Sequence, residues 1–432
     1  MRQVSQRLEQ IGLGRVDPAD VLWVGIDVSK RRFDACCGTS SRLLHRKLGY
    51  PMTVEGATRF GEAVRKAAKR SRAHAVVIGM EPTSVYWKPL SAWLKARGLT
   101  VVLVHSLAVR HNRETVGDSG SKTDVKDAYS VWDLLRQGKF FVPIPRDPEM
   151  EGAFRYMQRY QDSGKQICRL RSQLREVLAE RFPELNDRFS RLEAKTVLAF
   201  LQRNSTPQLI RRLGRGRFLK RWRGRHGQWG RRFFEELYEL AGRSFGIPDT
   251  HGVGAAEISA LARQLQEAVT AQEFWYQNAL AQLQHRHELR LILTIKGIGE
   301  KTAVGLLSSL GSPQAFKNGK QWVKLAGLDL KLCTSGDSVH RTPKISRRGI
   351  ALLRYWLCQA ATTVTQNNQS FQELRDRRRQ SSPGKGSNGR AIVAVADKLV
   401  RVIFAMLCRK QAFNPDQDRL TEVMYRAEKK AA

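Results

Sequence analysis

Cysteine is scarce in this chain: Cys36, Cys37, Cys168, Cys333, Cys358 and Cys408 are all it has in 432 residues. None forms a Cys-x-x-Cys pair and no histidine stands at ligand spacing, which argues against a zinc site and for reduced thiols without a disulfide framework. Long apolar runs are missing too. No stretch reaches the ~18 uninterrupted apolar residues of a membrane span. The most apolar late segment, 391–408, is broken by Asp397, Lys398 and Arg401. The start, Met1-Arg2-Gln3-Val4, lacks the apolar core of a secretory signal. A cytoplasmic protein with no membrane partner is therefore expected. Acids are the third shortage: 40 Asp and Glu face 75 Lys and Arg, a net charge of +35. Such an excess repels itself in a folded chain unless a polyanion neutralises it. An ordinary metabolic enzyme fits this badly, and nucleic acid is the partner it points to.

What is present organises the chain. Apolar residues make up 41% of it, enough for two or three domains with cores of their own. Val21 to Val28 reads as a buried strand ending at an acid, and Phe33 to Cys37 as a returning strand. Thr53 to Lys69 has helical spacing, Ala73 to Met80 is a second buried strand closed by Glu81-Pro82, Val85 to Arg97 is helical up to Gly98, and Leu99 to Val104 is a further strand. Strands alternating with helices imply a mixed α/β sheet. From about residue 146 the strand signals stop. Met150 to Phe189 is helical in pattern, interrupted at Pro183, with Leu170, Leu174 and Leu178 four apart; a coiled-coil arm and an ordinary packed helix both suit it. The expected division is an N-terminal lead (1–20), an α/β domain (21–145), a helical or coiled-coil middle (146–290), a mainly helical C-terminal domain (291–412) and a polar tail (413–432).

Two segments suggest contacts to nucleic acid. Residues 203–232 form a basic insert in which Arg217, Lys220, Arg221 and Arg223 are interleaved with Phe218, Trp222 and Trp229. Arginine with glycine and aromatics suits backbone contact plus base stacking, particularly on RNA or single strands; the alternative is a solvated loop. Either way the segment is expected to be flexible when unbound. Further on, residues 291–311 carry a helix–Gly-x-Gly–helix pattern in which Gly297 and Gly299 would let backbone amides, with Lys301 beside them, approach a phosphate. A helix-hairpin-helix-like element and a tight turn between core helices are the two readings. Arg341, Lys344, Arg347 and Arg348 add a basic stretch.

The acids bear on chemistry. Asp27 and Glu81 stand at strand ends, and Asp124 and Asp127 are three apart, on one side of a helix. Four carboxylates so placed suit hard divalent ions on a phosphodiester. Asp34, Asp118 and Asp133 lie nearby, and patterning alone does not exclude them.

Three of these segments, Val24-Gly25-Ile26-Asp27-Val28-Ser29-Lys30, Met80-Glu81-Pro82-Thr83-Ser84-Val85-Tyr86 and Lys122-Thr123-Asp124-Val125-Lys126-Asp127-Ala128, resemble the DEDD motif of the insertion-sequence 110 family of transposases. The C-terminal half resembles that family's second domain through Gly297-Ile298-Gly299, Ala326-Gly327-Leu328, Thr334-Ser335-Gly336 and Arg347-Arg348-Gly349 with Leu353-Arg354. The resemblance implies a fold of α/β plus α: a RuvC-like domain of the ribonuclease H fold, a helical or coiled-coil middle, and a mainly helical C-terminal domain with the helix-hairpin-helix-like element. It implies that Asp27, Glu81, Asp124 and Asp127 bind Mg²⁺, with Mn²⁺ as the alternative, and that Ser335 is the nucleophile. It also implies donor and target DNA, a structured guide (bridge) RNA from the element, and a homo-oligomer, dimer or tetramer, in which one subunit's acids work with another's serine. Ser338 and His340 lie close to Ser335, and the Ser-Gly pair favours Ser335. A RuvC-like structure-specific endonuclease and a non-catalytic nucleic-acid-binding protein are the competing readings.

Overall fold

Val21–Val28 (β1) is apolar on both sides of its alternation, as a central strand covered on both faces must be. The computed structural model describes residues 2–116, 124–143, 146–222, 231–331, 344–381, 383–384 and 386–416. They fall into two units, Met1–Ile144 and Pro145–Ala432.

In the first unit α1 (Arg2–Gln10) precedes β1, followed by β2 (Arg32–Gly38), β3 (Leu43–Pro51), α2 (Val54–Arg70), β4 (Ala75–Met80), α3 (Trp87–Lys95), β5 (Thr100–Leu103), α4 (Ser106–Val116) and α5 (Asp124–Arg136). The sheet order is β3-β2-β1-β4-β5. The β1–β2 and β2–β3 pairs are antiparallel, whereas β1–β4 and β4–β5 are parallel. This mixed five-stranded sheet is consistent with a ribonuclease H-like domain. Leu22, Val24 and Ile26 pack with Phe60 and Val64 of α2 and Leu90 and Leu94 of α3 on one face. Val21 and Trp23 pack with Val77, Val102, Val131 and Leu135 on the other. The β3 strand is one that alternation does not announce: His45, Arg46 and Lys47 are consecutive and exposed, as an edge strand permits.

The second unit is built on two long helices. It begins with α6 (Pro148–Arg181), α7 (Pro183–Arg188), α8 (Lys195–Leu201), α9 (Pro207–Leu213), α10 (Arg215–Trp222), α11 (Arg231–Gly242) and α12 (Val253–Leu283). Met150, Ala153 and Met157 of α6 pack with Tyr276, Ala279 and Leu283 of α12, while Leu170, Leu174 and Leu178 pack with Ile258, Ala262 and Leu265. The two helices are therefore antiparallel, with apolar positions three and four apart in the manner of a coiled coil. At rises of about 1.5 Å per residue, α6 is about 50 Å long. It stops where proline forbids continuation: Phe182 caps it and Pro183 opens α7.

Helices α7 to α11 make a lobe around Phe182, Phe189, Phe200, Phe218, Trp222 and Phe234, at the end of α6 and α12 where those leucines lie. Here the structure corrects an expectation. The described part of 203–232 is not a flexible arginine–aromatic segment but includes two helices, α9 and α10, seated on α11. Phe218 and Trp222 are four apart on one face of α10 and are 0% and 3% exposed. Trp222 stacks on Phe234 at 5.9 Å and lies 5.2 Å from Phe200, so neither ring is presented to bases. Arg223 and Trp229 lie outside the described residues.

At the opposite end of the pair a second core gathers α13 (His287–Leu293), α14 (Glu300–Leu310), α15 (Gly319–Ala326), α16 (Ala351–Asn367), α17 (Gln369–Ser381) and α18 (Ser387–Arg409). Contrary to the expectation that strands end by 146, a two-residue ladder joins β6 (Leu330–Lys331) to β7 (Lys344–Ile345). No helix among the described residues is long and apolar enough to cross a membrane.

Candidate catalytic site

The parallel register pairs Ile26 with Met80, so Asp27 and Glu81 are the next residues on adjacent strands. Trp23 and Val77 face α5; strand alternation carries Gly25, Asp27, Gly79 and Glu81 to that same face. Helix α5 lies directly on the two glycines. A Cβ on Gly25 would come within 2.3 Å of the Trp132 nitrogen and 2.4 Å of the Ala128 oxygen, and one on Gly79 within 2.6 Å of Leu135. The direction of α5 follows from Trp132, whose Nε1 donates to the Gly38 carbonyl oxygen at 3.4 Å, opposite Trp23. Ala128 therefore lies toward the Asp27 end. Two strand residues from Gly25 to Asp27 cover about 6.6 Å, and four helix residues from Ala128 back to Asp124 cover about 6 Å. The first turn of α5, which carries Asp124 and Asp127, thus reaches the level of Asp27 and Glu81.

Asp127 is 4% exposed, and its Oδ1 accepts from Arg113 Nη1 of α4 at 2.6 Å. Arg113 is the partner that sequence reading missed, and no motif around it announces the contact. The side chain of Asp124 lies outside the described part. Of the three neighbouring acids, Asp34 stands opposite Asp27 in the β1–β2 register. It is buried and held from both oxygens by Arg32, at 2.6 and 3.1 Å. Asp133 is taken by Arg136 and Gln137, and Asp118 lies outside the described residues. Cys36 faces Gly25 across the same register. Burial, reinforced by Cys37 beside it, pushes its thiol up to about 12, so it stays a neutral packing group and not a thiolate ligand.

Among the described residues no three Asp, Glu, His or Cys side chains are gathered as a ready-made metal cage. The chemistry of the donor set still fits a hard divalent ion, since Asp27, Glu81 and Asp127 offer only carboxylate oxygen.

Ser335, with Ser338, His340 and Arg341, lies outside the described residues, but the two ends of its segment are fixed. Lys331 pairs with Lys344 and Leu330 with Ile345. Just below, Gly327 and Gly349 meet backbone to backbone: a Cβ on Gly327 would lie 2.8 Å from the Gly349 nitrogen, and one on Gly349 2.2 Å from the Leu325 oxygen. Arg354 Nη1 closes the crossing on the Ala326 carbonyl at 2.9 Å. The Ala-Gly-Leu, Arg-Arg-Gly and Leu-Arg motifs are thus one structural clasp. Lys344, Arg347 and Arg348 are exposed on it.

The remaining candidates separate. Gly297 has φ +97°, and a Cβ there would sit 2.8 Å from the Thr363 oxygen, so packing against α16 already requires glycine. Gly299 caps α14 with open space around it. Lys301 is engaged: its ammonium pairs with Glu273 at 3.2 Å and lies 4.6 Å from the Tyr276 ring. Glu300, in the same first turn, accepts from the Tyr276 hydroxyl. Its charge already complements the helix dipole there, which leaves Lys301 a structural link between α12 and α14.

Acids at or just past the ends of β1 and β4, in a mixed sheet consistent with a ribonuclease H-like domain, are compatible with phosphodiester chemistry. Comparison with known proteins narrows this. A family model described as Transposase, for the DEDD-type IS110 transposases, matches residues 24–183, and one described as Transposase IS116/IS110/IS902 family matches 289–375. An "Insertion element IS110 uncharacterized 43.6 kDa protein" of Streptomyces coelicolor is 25% identical over 339 residues, 77% of this chain and 81% of that protein. A "Pilin gene-inverting protein" of Moraxella bovis is 30% identical over 138 residues, 32% of this chain and 41% of its own length. A "Probable family 20 transposase" of Pseudomonas aeruginosa is 28% identical over 29% of this chain and 37% of its own. The chain belongs to the IS110 family of transposases and is a DNA recombinase. The DEDD type carries with it the use of a divalent metal.

Proposed function

We propose that this protein is the Mg²⁺-dependent transposase of an insertion sequence, with a RuvC-like N-terminal domain, excising and inserting its element through covalent serine–DNA intermediates. Asp27, Glu81, Asp124 and Asp127 hold the metal, which when bound supplies charge stabilisation to the phosphodiester and lowers the cost of deprotonating the nucleophile. The Ser335 hydroxyl loses its proton and its Oγ attacks phosphorus. The P–O bond to the departing strand breaks, and that strand leaves with a free hydroxyl. A strand hydroxyl later attacks the phosphoserine and returns the serine, so no outside energy is needed. Donor and target DNA are the substrates, a structured RNA from the element selects them, and the enzyme works as a homo-oligomer.

The observation that carries this reading is the register that sets Asp27 beside Glu81, under the first turn of α5. A pilin gene-inverting relative supports rejoining as opposed to cutting alone. The test is to express the wild type, Ser335→Ala and Asp27→Asn with the gene's flanking DNA, denature the protein, and probe for DNA that remains attached. Adducts in the wild type that vanish in both variants are expected. Cutting that survives Ser335→Ala and is abolished by Asp27→Asn, with no adduct from any protein, would make the chain a hydrolytic endonuclease.

A further inference from the structure

Neither family model reaches residues 184–288, and the lobe of α7 to α11 falls in that gap. From Pro207 to Trp222 the chain carries Arg211, Arg212, Arg215, Arg217, Lys220 and Arg221 and no acid at all. Gly214, at φ +78°, turns the chain between α9 and α10. On α10 the positions 218 and 222 go to the core. Arg217, Lys220 and Arg221, at i, i+3 and i+4, form one exposed stripe with neighbours about 5–6 Å apart.

Several cations on the neighbouring helices are matched. Arg155 pairs with Glu151, Arg171 with Glu193, and Arg188 and Arg232 with Glu236. Arg211 lies 4.8 Å over the Tyr238 ring. Among the described residues no hydrogen bond or ion pair engages Arg212, Arg215, Arg217, Lys220 or Arg221, all of them exposed. A fixed, acid-free row of unmatched cations on an ordered helix is a surface built for an anion with repeated charge.

We infer that the α9–α10 face of the lobe is a binding site for the phosphate backbone of double-stranded DNA. Single-strand binding draws on exposed rings on which bases stack, and on α9 and α10 the rings are buried. What is left is sequence-independent contact to phosphates. DNA is the duplex in question because the enzyme is a DNA recombinase; the inference does not depend on the serine chemistry.

The experiment compares the wild type with Arg217→Gln/Lys220→Gln/Arg221→Gln by fluorescence anisotropy on a mixed-sequence DNA duplex, its single strand and an RNA duplex of the same length, across a salt series. Each phosphate contact contributes about 0.9 to the slope of log K against log salt on duplex DNA. The variant should lose about 2 to 3 from that slope, bind duplex DNA more than about tenfold more weakly at low salt, and retain the wild-type melting transition. Arg212→Gln/Arg215→Gln, on either side of the Gly214 turn and off the stripe, should act in the same direction with a smaller loss. An unchanged slope and affinity for duplex DNA overturns the inference. So does a loss confined to the RNA duplex or the single strand.

Discussion

Asp127 is the candidate catalytic acid whose surroundings are drawn most fully, and they impose a cost. Its carboxylate is almost completely withdrawn from water and its charge is met by Arg113, itself largely covered. Removing one partner of a buried pair leaves the other uncompensated, at about 3 kcal/mol or more. Arg113→Gln should therefore lower unfolding stability in urea by about that amount. Adding Asp127→Asn should recover part of the loss, because the stranded charge goes with it. A double variant as unstable as the sum of the two single ones would mean that Arg113 acts by packing and not by charge. Neither the pair nor its geometry is written in the sequence, since Arg113 is fourteen positions from its partner and no spacing rule links them. Trp222 teaches the opposite lesson. A tryptophan among arginines reads as a stacking platform, yet Phe218 four residues earlier was the available signal that both rings belong to a core stripe of a helix.

At the scale of elements, the site depends on how closely α5 approaches the sheet. Gly25 permits that approach, because its missing side chain is where the backbone of Ala128 and Trp132 runs. Gly25→Ala has no rotamer escape against backbone atoms, so α5 must move away and take Asp124 and Asp127 with it. A loss of about 2 kcal/mol is expected from overpacking, together with a fall in DNA cleavage larger than the unfolded fraction explains. Gly61→Ala is the control: inside α2, with Trp93 no nearer than 4.0 Å, it should be neutral or stabilising by up to about 1 kcal/mol. Calorimetry and a cleavage assay on both variants check this, and full activity in a folded Gly25→Ala protein would sever the site from the α5 contact. This part of the fold was legible where strands are buried on both faces and end in an acid, as in β1 and β4. It was illegible in β3, whose outward run of His45, Arg46 and Lys47 hides the period of two. The antiparallel pairing of α6 with α12 could be suspected from Leu170, Leu174 and Leu178, but its partner was not identifiable, because the leucines name a face and not what covers it.

Taken whole, the molecule carries more cation than its own acids can neutralise: even with all 40 acids paired, 35 positive charges would remain. Folding gathers these charges, so the free protein pays in self-repulsion for a surface suited to a polyanion. The two consequences have opposite salt dependence. Screening shortens from about 10 Å at 0.1 M to about 3 Å at 1 M, so the melting temperature of the free protein should rise as sodium chloride is raised from low to moderate concentration. Duplex DNA should raise it more at low salt, by binding the native state, and that increment should disappear as salt rises and counterion release ceases to drive binding. Differential scanning calorimetry across a salt series, with and without a DNA duplex, should give two curves that converge from different starting points. A free-protein curve that falls with salt would mean that matched pairs such as Arg113–Asp127 and Arg32–Asp34 outweigh the excess charge. The basic surface would then be a solubility device and not the footprint of a nucleic acid, and the unmatched row on α10 would lose its strongest physical argument.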